Sequence, residues 1–206
     1  MLLVPLGNTG FVGIPLIEAH LGAAAIPYVI LYDQLGTFIA LNTYGIAVAC
    51  YYSATAPSVK KIVRNILTFP PFIALVFALL LSSLVYPLWL DAALERFSST
   101  LVPVVMVAVG LQWRLKLSAE YLLPFLLGLL AILVISPAMA WLGMTLFGVK
   151  GLVAKVVILE AAMPAMISAG VLAISYQLAP RFVAALVGYS LLLGLMTVWI
   201  WRMLLE

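Results

Sequence analysis

The sequence predicts an all-α integral membrane protein with about seven transmembrane helices, two of which are broken near a crossover. Of its 206 residues, 67% are hydrophobic and only 8% are charged, and the mean hydropathy is +1.27. A soluble domain of this length usually carries about 25% charged residues. Two further observations carry the prediction: apolar segments long enough to cross a lipid bilayer, and interruptions rich in Gly and Pro inside two of them.

Seven apolar segments have about the length that a bilayer crossing requires, roughly 20 residues. Polar stretches separate them, the longest at residues 54–68, and the segment at 98–113 is short for a full crossing. The predicted spans are residues 1–21, 25–53, 69–90, 98–113, 121–147, 152–176 and 181–205.

The basic residues predict the orientation of these spans. Short loops on one side carry six Lys and Arg residues, and those on the other side carry three, which by the positive-inside rule places the first set in the cytoplasm. The C-terminus is then extracytoplasmic, and the cell membrane is the expected location. The first set is Lys60, Lys61, Arg64, Arg114, Lys116 and Arg181, and the second is Arg96, Lys150 and Arg202.

Composition excludes several classes of function. Because the basic residues lie mainly near predicted helix ends, the net charge of +3 does not indicate nucleic-acid binding. The single cysteine, Cys50, excludes a disulfide within the chain and a cysteine-based metal cluster. With one His and no Gly-x-Ser-x-Gly motif, no catalytic set is present, so an enzyme is not expected. No metal site or cofactor is expected either, apart from a coupling H⁺ or Na⁺.

The first interruption is GNTGFVGIP, at residues 7–15. In a helix interior each Gly costs about 1 kcal/mol relative to Ala, and a Pro costs about 3 kcal/mol. Broken helices at membrane depth persist only where the freed backbone is buried in protein or lines a polar cavity. This stretch alone fits a loop outside the membrane equally well.

A second interruption follows Glu160, where Pro164 lies in the middle of an apolar segment. Matching Asn8 to Met163 gives an offset of 163 − 8 = 155 residues, which spans five helices. An odd number of helices reverses topology, so the pattern predicts inverted repeats, whose broken helices mark a transporter's binding site. We predict that residues 57–206 form a complete second repeat. Residues 1–56 would then be the remainder of a first repeat that lacks about three N-terminal helices.

The sequences GNTGFVGIPL and LEAAMPAMISAGVLAISYQL resemble those of the auxin efflux carrier family of membrane transporters. The resemblance covers essentially the whole chain. It implies a fold like that of bile acid–sodium symporters, with ten helices in two inverted repeats whose fourth and ninth helices cross as broken helices. It also implies efflux of a small organic anion, either auxin-like or malate- or malonate-like, and by analogy leaves a homodimer open.

The two breaks supply the predicted binding residues. A helix that begins within a break offers free N–H groups and a positive dipole end to a carboxylate. Ionisable groups inside spans are costly, so Asp33 and Glu160 are predicted to couple transport to a proton or cation. Asp33 would need a partner, with Gln34, Asn42 or a backbone end as candidates. The predicted substrate-binding residues are Asn8, Thr9, Gly10, Met163, Pro164 and Ser168.

An alternative function remains open at this point. A chain without three expected helices can also be a non-transporting fragment, or a structural membrane subunit of the same family. Ser168, likewise, is explained as well by helix packing as by substrate binding.

Overall fold

The computed structural model describes residues 2–53, 59–68, 70–84, 86–111 and 121–205, and these residues form nine helices. In chain order they are α1 (Thr9–Leu21), α2 (Ala23–Ser53), α3 (Val59–Leu67), α4 (Pro70–Leu81), α5 (Leu88–Leu111), α6 (Leu122–Leu146), α7 (Leu152–Ala161), α8 (Ile167–Ser175) and α9 (Pro180–Leu204). Within the described ranges the only β pairing is an isolated bridge between Gly7 and Ala165.

Three helices are long and apolar enough to cross a membrane: α2 with 31 residues, and α6 and α9 with 25 each. Their ends fall within two residues of the predicted spans 25–53, 121–147 and 181–205, which confirms the integral membrane class. The full count of spans and the inverted repeat stay predictions.

The first predicted span, residues 1–21, is corrected by the structure. Its helix α1 begins only at Thr9 and has 13 residues, which is roughly 20 Å at the usual rise. This is shorter than the roughly 30 Å of a bilayer core. The predicted span 152–176 is divided into α7 and α8, with a non-helical break over residues 162–166, as its Pro164 predicted.

The predicted spans 69–90 and 98–113 are misplaced at the boundary between them. Helix α4 ends at Leu81, and α5 begins at Leu88, directly after Pro87. Pro87 is a favourable residue beside a helix start, because its missing N–H needs no partner there. The position between residues 56 and 57, where the two repeats were separated, and the basic residues Arg114 and Lys116 lie outside the described residues.

Two apolar clusters lie on opposite sides of the breaks. One joins α6, α8 and part of α9 to the end of α2 and to the first residues of the chain, including Leu6, Ile132 and Ala169. The other joins α1, the start of α2 and α7 to the remainder of α9, including Ile17 and Leu159. Helix α9 contacts α6, α7 and α8. The packing therefore holds both breaks in the interior, between the two clusters.

Candidate functional site

The two breaks cross each other and are joined as a short antiparallel β pair. The backbone N–H of Asn8 donates to the carbonyl of Pro164 at 2.7 Å, and that of Met166 donates to the carbonyl of Leu6 at 2.9 Å. Backbone groups released from a helix at membrane depth need partners inside the protein. Here each break supplies partners for the other, so both interrupted segments are internal features rather than surface loops.

The bridge sets Gly7 opposite Ala165 with the two strands running in opposite directions. Partners across an antiparallel pair are not the residues that an inverted repeat makes equivalent. The predicted match of Asn8 with Met163 therefore stays a prediction.

Helix α9 supports the second break. The buried hydroxyl of Ser190 accepts a hydrogen bond from the N–H of Ala165 at 3.1 Å. A Cβ added to Gly194 would lie 3.1 Å from the Cβ of Pro164, so the proline ring packs directly on the backbone of α9. Sequence analysis missed Ser190, whose only signal is a hydroxyl in an otherwise apolar helix.

Two glycines of α1, three residues apart, each lie against one buried carboxylate. A Cβ at Gly10 would come within 3.1 Å of Asp33 Oδ1, and a Cβ at Gly13 would come within 2.5 Å of Glu160 Oε2. Residues three apart lie on one face of a helix. The repeated glycines therefore allow Asp33 from α2 and Glu160 from α7 to approach the same face of α1.

The carboxylate of Asp33 accepts hydrogen bonds from three other residues. It is 7% exposed and lies at the start of a π-helical turn, Tyr32–Thr37, within α2. Its Oδ1 accepts from Thr9 Oγ1 at 2.5 Å, its Oδ2 accepts from Gln34 Nε2 at 2.6 Å, and the backbone N–H of Gly10 also donates to this carboxylate. Gln34 was a predicted partner. Asn42, the other candidate side chain, instead donates to the carbonyl of Phe38.

The carboxylate of Glu160 differs from that of Asp33 in its hydrogen bonding. Its side chain is 0% exposed, and neither carboxylate oxygen has a hydrogen-bond partner among the described residues. It borders a cavity of about 30 Å³, whose other polar walls include the hydroxyl-bearing residues Thr9, Tyr32, Thr37 and Ser136. A volume of this size is enough for one water molecule or one small ion.

A larger cavity of about 760 Å³ opens beside the crossing. Its polar wall includes Asn8 and Gly10 from the first break, Ser168 from the second, and Asp33. Its apolar wall comes from α1, α2 and α4. Among the described residues, the polar and apolar lining is Asn8, Gly10, Phe11, Ile14, Ile30, Asp33, Gln34, Phe38, Leu41, Asn42, Thr68, Pro70, Ala74, Leu75, Ala78, Met166 and Ser168.

Three predicted binding residues do not border this large cavity. Thr9 is turned toward Asp33, Met163 is 0% exposed beside the small cavity, and Pro164 packs on Gly194. All three are close to the crossing in sequence, but their side chains face the interior. Their roles in substrate binding stay predictions.

The N-termini of the two short helices differ in what faces them. That of α1 receives the Asp33 carboxylate, which accepts from both Thr9 and Gly10. No side chain caps α8 at Met166, and its second residue, Ser168, borders the large cavity. Asn8 lies between the two ends, 1% exposed, and neither its amide nitrogen nor its amide oxygen has a partner among the described residues.

A separate cavity of about 410 Å³ gathers three basic residues, His20, Lys155 and Arg202, near the start of α7. It shares no lining residue with the two cavities at the crossing. Their wide separation in the sequence gave no indication that these three residues share a cavity.

Comparison with known proteins shows similarity over the whole crossing. The family model described as membrane transport protein, the family of the auxin efflux carriers, matches residues 1–202. An uncharacterized transporter of Methanocaldococcus jannaschii is 26% identical over 207 residues, which cover 97% of this chain and 66% of that protein. An uncharacterized transporter of Methanothermobacter thermautotrophicus is 26% identical over 204 residues, which cover 96% and 65%. The chain thus spans about two thirds of the length of these curated relatives.

Proposed function

Because this chain belongs to the membrane transport protein family, we propose that it is a secondary transporter that exports a small organic anion across the cell membrane. The substrate class is an auxin-like or a malate- or malonate-like carboxylate, as the family resemblance implies. The family match confirms the resemblance on which the sequence analysis relied. The substrate, the direction and the coupling ion are parts of the proposal.

The observation that carries this proposal is the large cavity at the β-paired crossing. Its volume of about 760 Å³ falls within the usual range for small-molecule sites, roughly 300–1,000 Å³. Broken helices at corresponding positions are where transporters of this general type hold their substrates. The cavity is bordered by both breaks at once, through Asn8 and Gly10 on one side and Met166 and Ser168 on the other.

A carboxylate fits the second break best. The first N–H groups of a helix have no partner within the helix, and the helix dipole is positive at that end. Helix α8 presents such an end without a side-chain cap, and the Ser168 hydroxyl is a further donor. The amide of Asn8 can add another hydrogen bond from the opposite break. These groups bind the substrate carboxylate in our proposal.

Glu160 is the proposed coupling group, binding either H⁺ or Na⁺. A buried carboxylate without hydrogen bonds is costly unless it is neutralised or paired with a cation. The cavity of about 30 Å³ beside Glu160 has hydroxyl-bearing walls, and oxygen atoms are suitable ligands for a small cation. Asp33 was also predicted as a coupling group. Its carboxylate already accepts hydrogen bonds from Thr9, Gln34 and Gly10, so it has less need of a bound proton or cation than Glu160 has.

Transport and its coupling can be measured on the purified chain in proteoliposomes, with radiolabelled indole-3-acetate and malonate as probes. We expect saturable movement of at least one probe, and a loss of at least about 10-fold for Asn8→Ala, equivalent to one charge-assisted hydrogen bond. Ser175→Ala, on an exposed hydroxyl that bonds back to the carbonyl of Val171, is the matched control. Failure of both probes to bind or move would contradict the proposed function, and equal activity of Asn8→Ala would contradict the site.

The coupling proposal has its own measurement. Binding of the active probe should depend on either the Na⁺ concentration or the pH, and Glu160→Gln should abolish that dependence. If the variant retains the dependence of the unmodified chain, Glu160 is not the coupling group.

A further inference from the structure

We propose that Asp33 fills one of two anion sites at the crossing, and that the remaining site therefore accepts an apolar monocarboxylate and rejects a dicarboxylate. This inference rests on the proposed function and deepens it, because the family resemblance alone allows both substrate classes. It assigns to Asp33 the role of a specificity-determining residue.

The first step concerns what Asp33 does at α1. A carboxylate that accepts a backbone N–H and a hydroxyl at the start of a helix makes the contacts that a bound substrate carboxylate would make. Asp33 makes both of them, with Gly10 N–H and with Thr9 Oγ1 at 2.5 Å. Gln34 Nε2 holds its second oxygen at 2.6 Å. The positive end of α1 is therefore already occupied by a carboxylate of the protein.

The second step concerns the end that stays open. Helix α8 has nine residues, begins at Ile167 and has no side-chain cap. An independent feature points to a ligand there: Asn8 borders the same cavity, is 1% exposed and lacks a hydrogen-bond partner for either amide atom among the described residues. A buried amide left without partners is unfavourable by itself, so a ligand with a carboxylate would satisfy it.

The third step concerns charge. Among the residues that the structure describes, those that line the large cavity include Asp33 but no Lys, Arg or His. A second carboxylate on the substrate would leave water for a region whose described lining holds no cation and already contains one carboxylate. Like charges brought together at a binding site disfavour the wrong ligand strongly. The other walls are apolar and include Phe11, Ile14 and Phe38, which suit a hydrocarbon body.

Hexanoate and adipate test this directly, because they share a six-carbon chain and differ by one carboxylate. Binding to the purified chain in detergent can be measured by calorimetry at one pH and one salt concentration. We expect hexanoate to bind at least about 10-fold more tightly than adipate. Equal or tighter binding of adipate to the unmodified chain would overturn the inference, and this readout requires no variant to fold.

The variant Asp33→Asn tests the assignment to this residue. With the carboxylate replaced by an amide at the end of α1, we expect adipate to gain affinity. The ratio of the adipate dissociation constant to that of hexanoate should then fall to within about 3-fold. The matched control is Asp91→Asn, which makes the same change from carboxylate to amide at an exposed position on α5 and should preserve the hexanoate preference. An unchanged ratio in a folded Asp33→Asn, or an equal fall in Asp91→Asn, would overturn the role of Asp33.

The two proposals fail in different ways. If neither hexanoate nor adipate binds, and indole-3-acetate and malonate are also inactive, the carboxylate transport function is wrong. If adipate binds and is preferred, the transport function stands and the role of Asp33 as a charge filter is wrong.

Discussion

A short helix begins at each of the two breaks of this membrane protein, but the two helix starts differ in which side chains lie against them. At the first break, the start of α1 holds Asp33, which accepts hydrogen bonds from Thr9 and Gly10. At the second, the start of α8 has no side-chain cap, and Glu160 lies 0% exposed just before the break without a hydrogen-bond partner among the described residues. The polar groups at the first break thus have partners within the protein, and in our proposal the second break receives a ligand and an ion.

The difference also separates two kinds of buried carboxylate. Asp33 stabilises the crossing through its hydrogen bonds, whereas Glu160 is a cost to the fold that a structural role alone does not explain. Costly features of this kind concentrate at functional sites. Variants confined to one of the two breaks test whether the breaks differ in this way.

The largest effect is expected from Gly13→Ala. The new Cβ would lie 2.5 Å from Glu160 Oε2 in a packed interior, so the carboxylate or the helix must move. The carboxylate is the end of a flexible side chain, but it is 0% exposed and has only a cavity of about 30 Å³ beside it, so we expect a loss of about 2 kcal/mol in the free energy of unfolding. The measurement is the midpoint of thermal unfolding in detergent.

Gly36→Ala is the control for that variant. A Cβ at Gly36 meets no atom within 4 Å, so the substitution should be neutral or stabilising by up to about 1 kcal/mol through helix propensity. Similar midpoints for Gly13→Ala and Gly36→Ala would show that Glu160 does not pack against α1 as described.

A smaller change in the free energy of unfolding should distinguish Asp33 from Glu160. Asp33→Asn disrupts acceptors of hydrogen bonds from Thr9, Gln34 and Gly10, and we expect it to cost about 1–2 kcal/mol. Glu160→Gln removes a buried charge that has no such bonds, so its stability should be equal to or higher than that of the unmodified chain. Thermal unfolding at one pH compares them, and an equal loss in both variants would remove the distinction between the breaks.

The smallest effect is expected from Ser190→Ala. It removes the acceptor for the N–H of Ala165 in the second break, which should cost about 1 kcal/mol. Ser175→Ala, where the lost hydroxyl is exposed, should change the unfolding midpoint by less than half as much. A null effect of Ser190→Ala would indicate that α9 does not hold the break in place.

Much of the fold was predictable because its signals are local. Pro164 in an apolar segment located the second break, and the density of Gly and Pro after residue 6 located the first. The pairing partner of each break was not predictable, because the bridge between Gly7 and Ala165 joins segments far apart in sequence through backbone atoms, which carry no side-chain signal. The resemblance to a family predicted the crossing but not its register.

The sequence located the two segments that border the large cavity, but not which of their side chains face it. Asn8, Gly10 and Ser168 do border the large cavity, whereas Thr9 and Met163 face the interior. Spacing within α1 gave no indication that Gly10 and Gly13 serve to admit carboxylates from two other helices. Whether a polar side chain beside a break binds a substrate or a neighbouring residue depends on tertiary packing, which a single sequence does not specify.

In our proposal, the substrate carboxylate binds at the start of α8 and not at the start of α1. Solid-state NMR can measure distances from the ¹³C-labelled carboxylate of bound hexanoate to ¹⁵N-labelled backbone amides in the reconstituted chain. We predict a distance of roughly 4 Å to the amide of Ser168 or of its neighbour Ala169, consistent with a hydrogen bond, and a clearly longer distance to the amide of Gly10. A carboxylate found closer to Gly10 than to Ser168, with Asp33 displaced, would contradict the account.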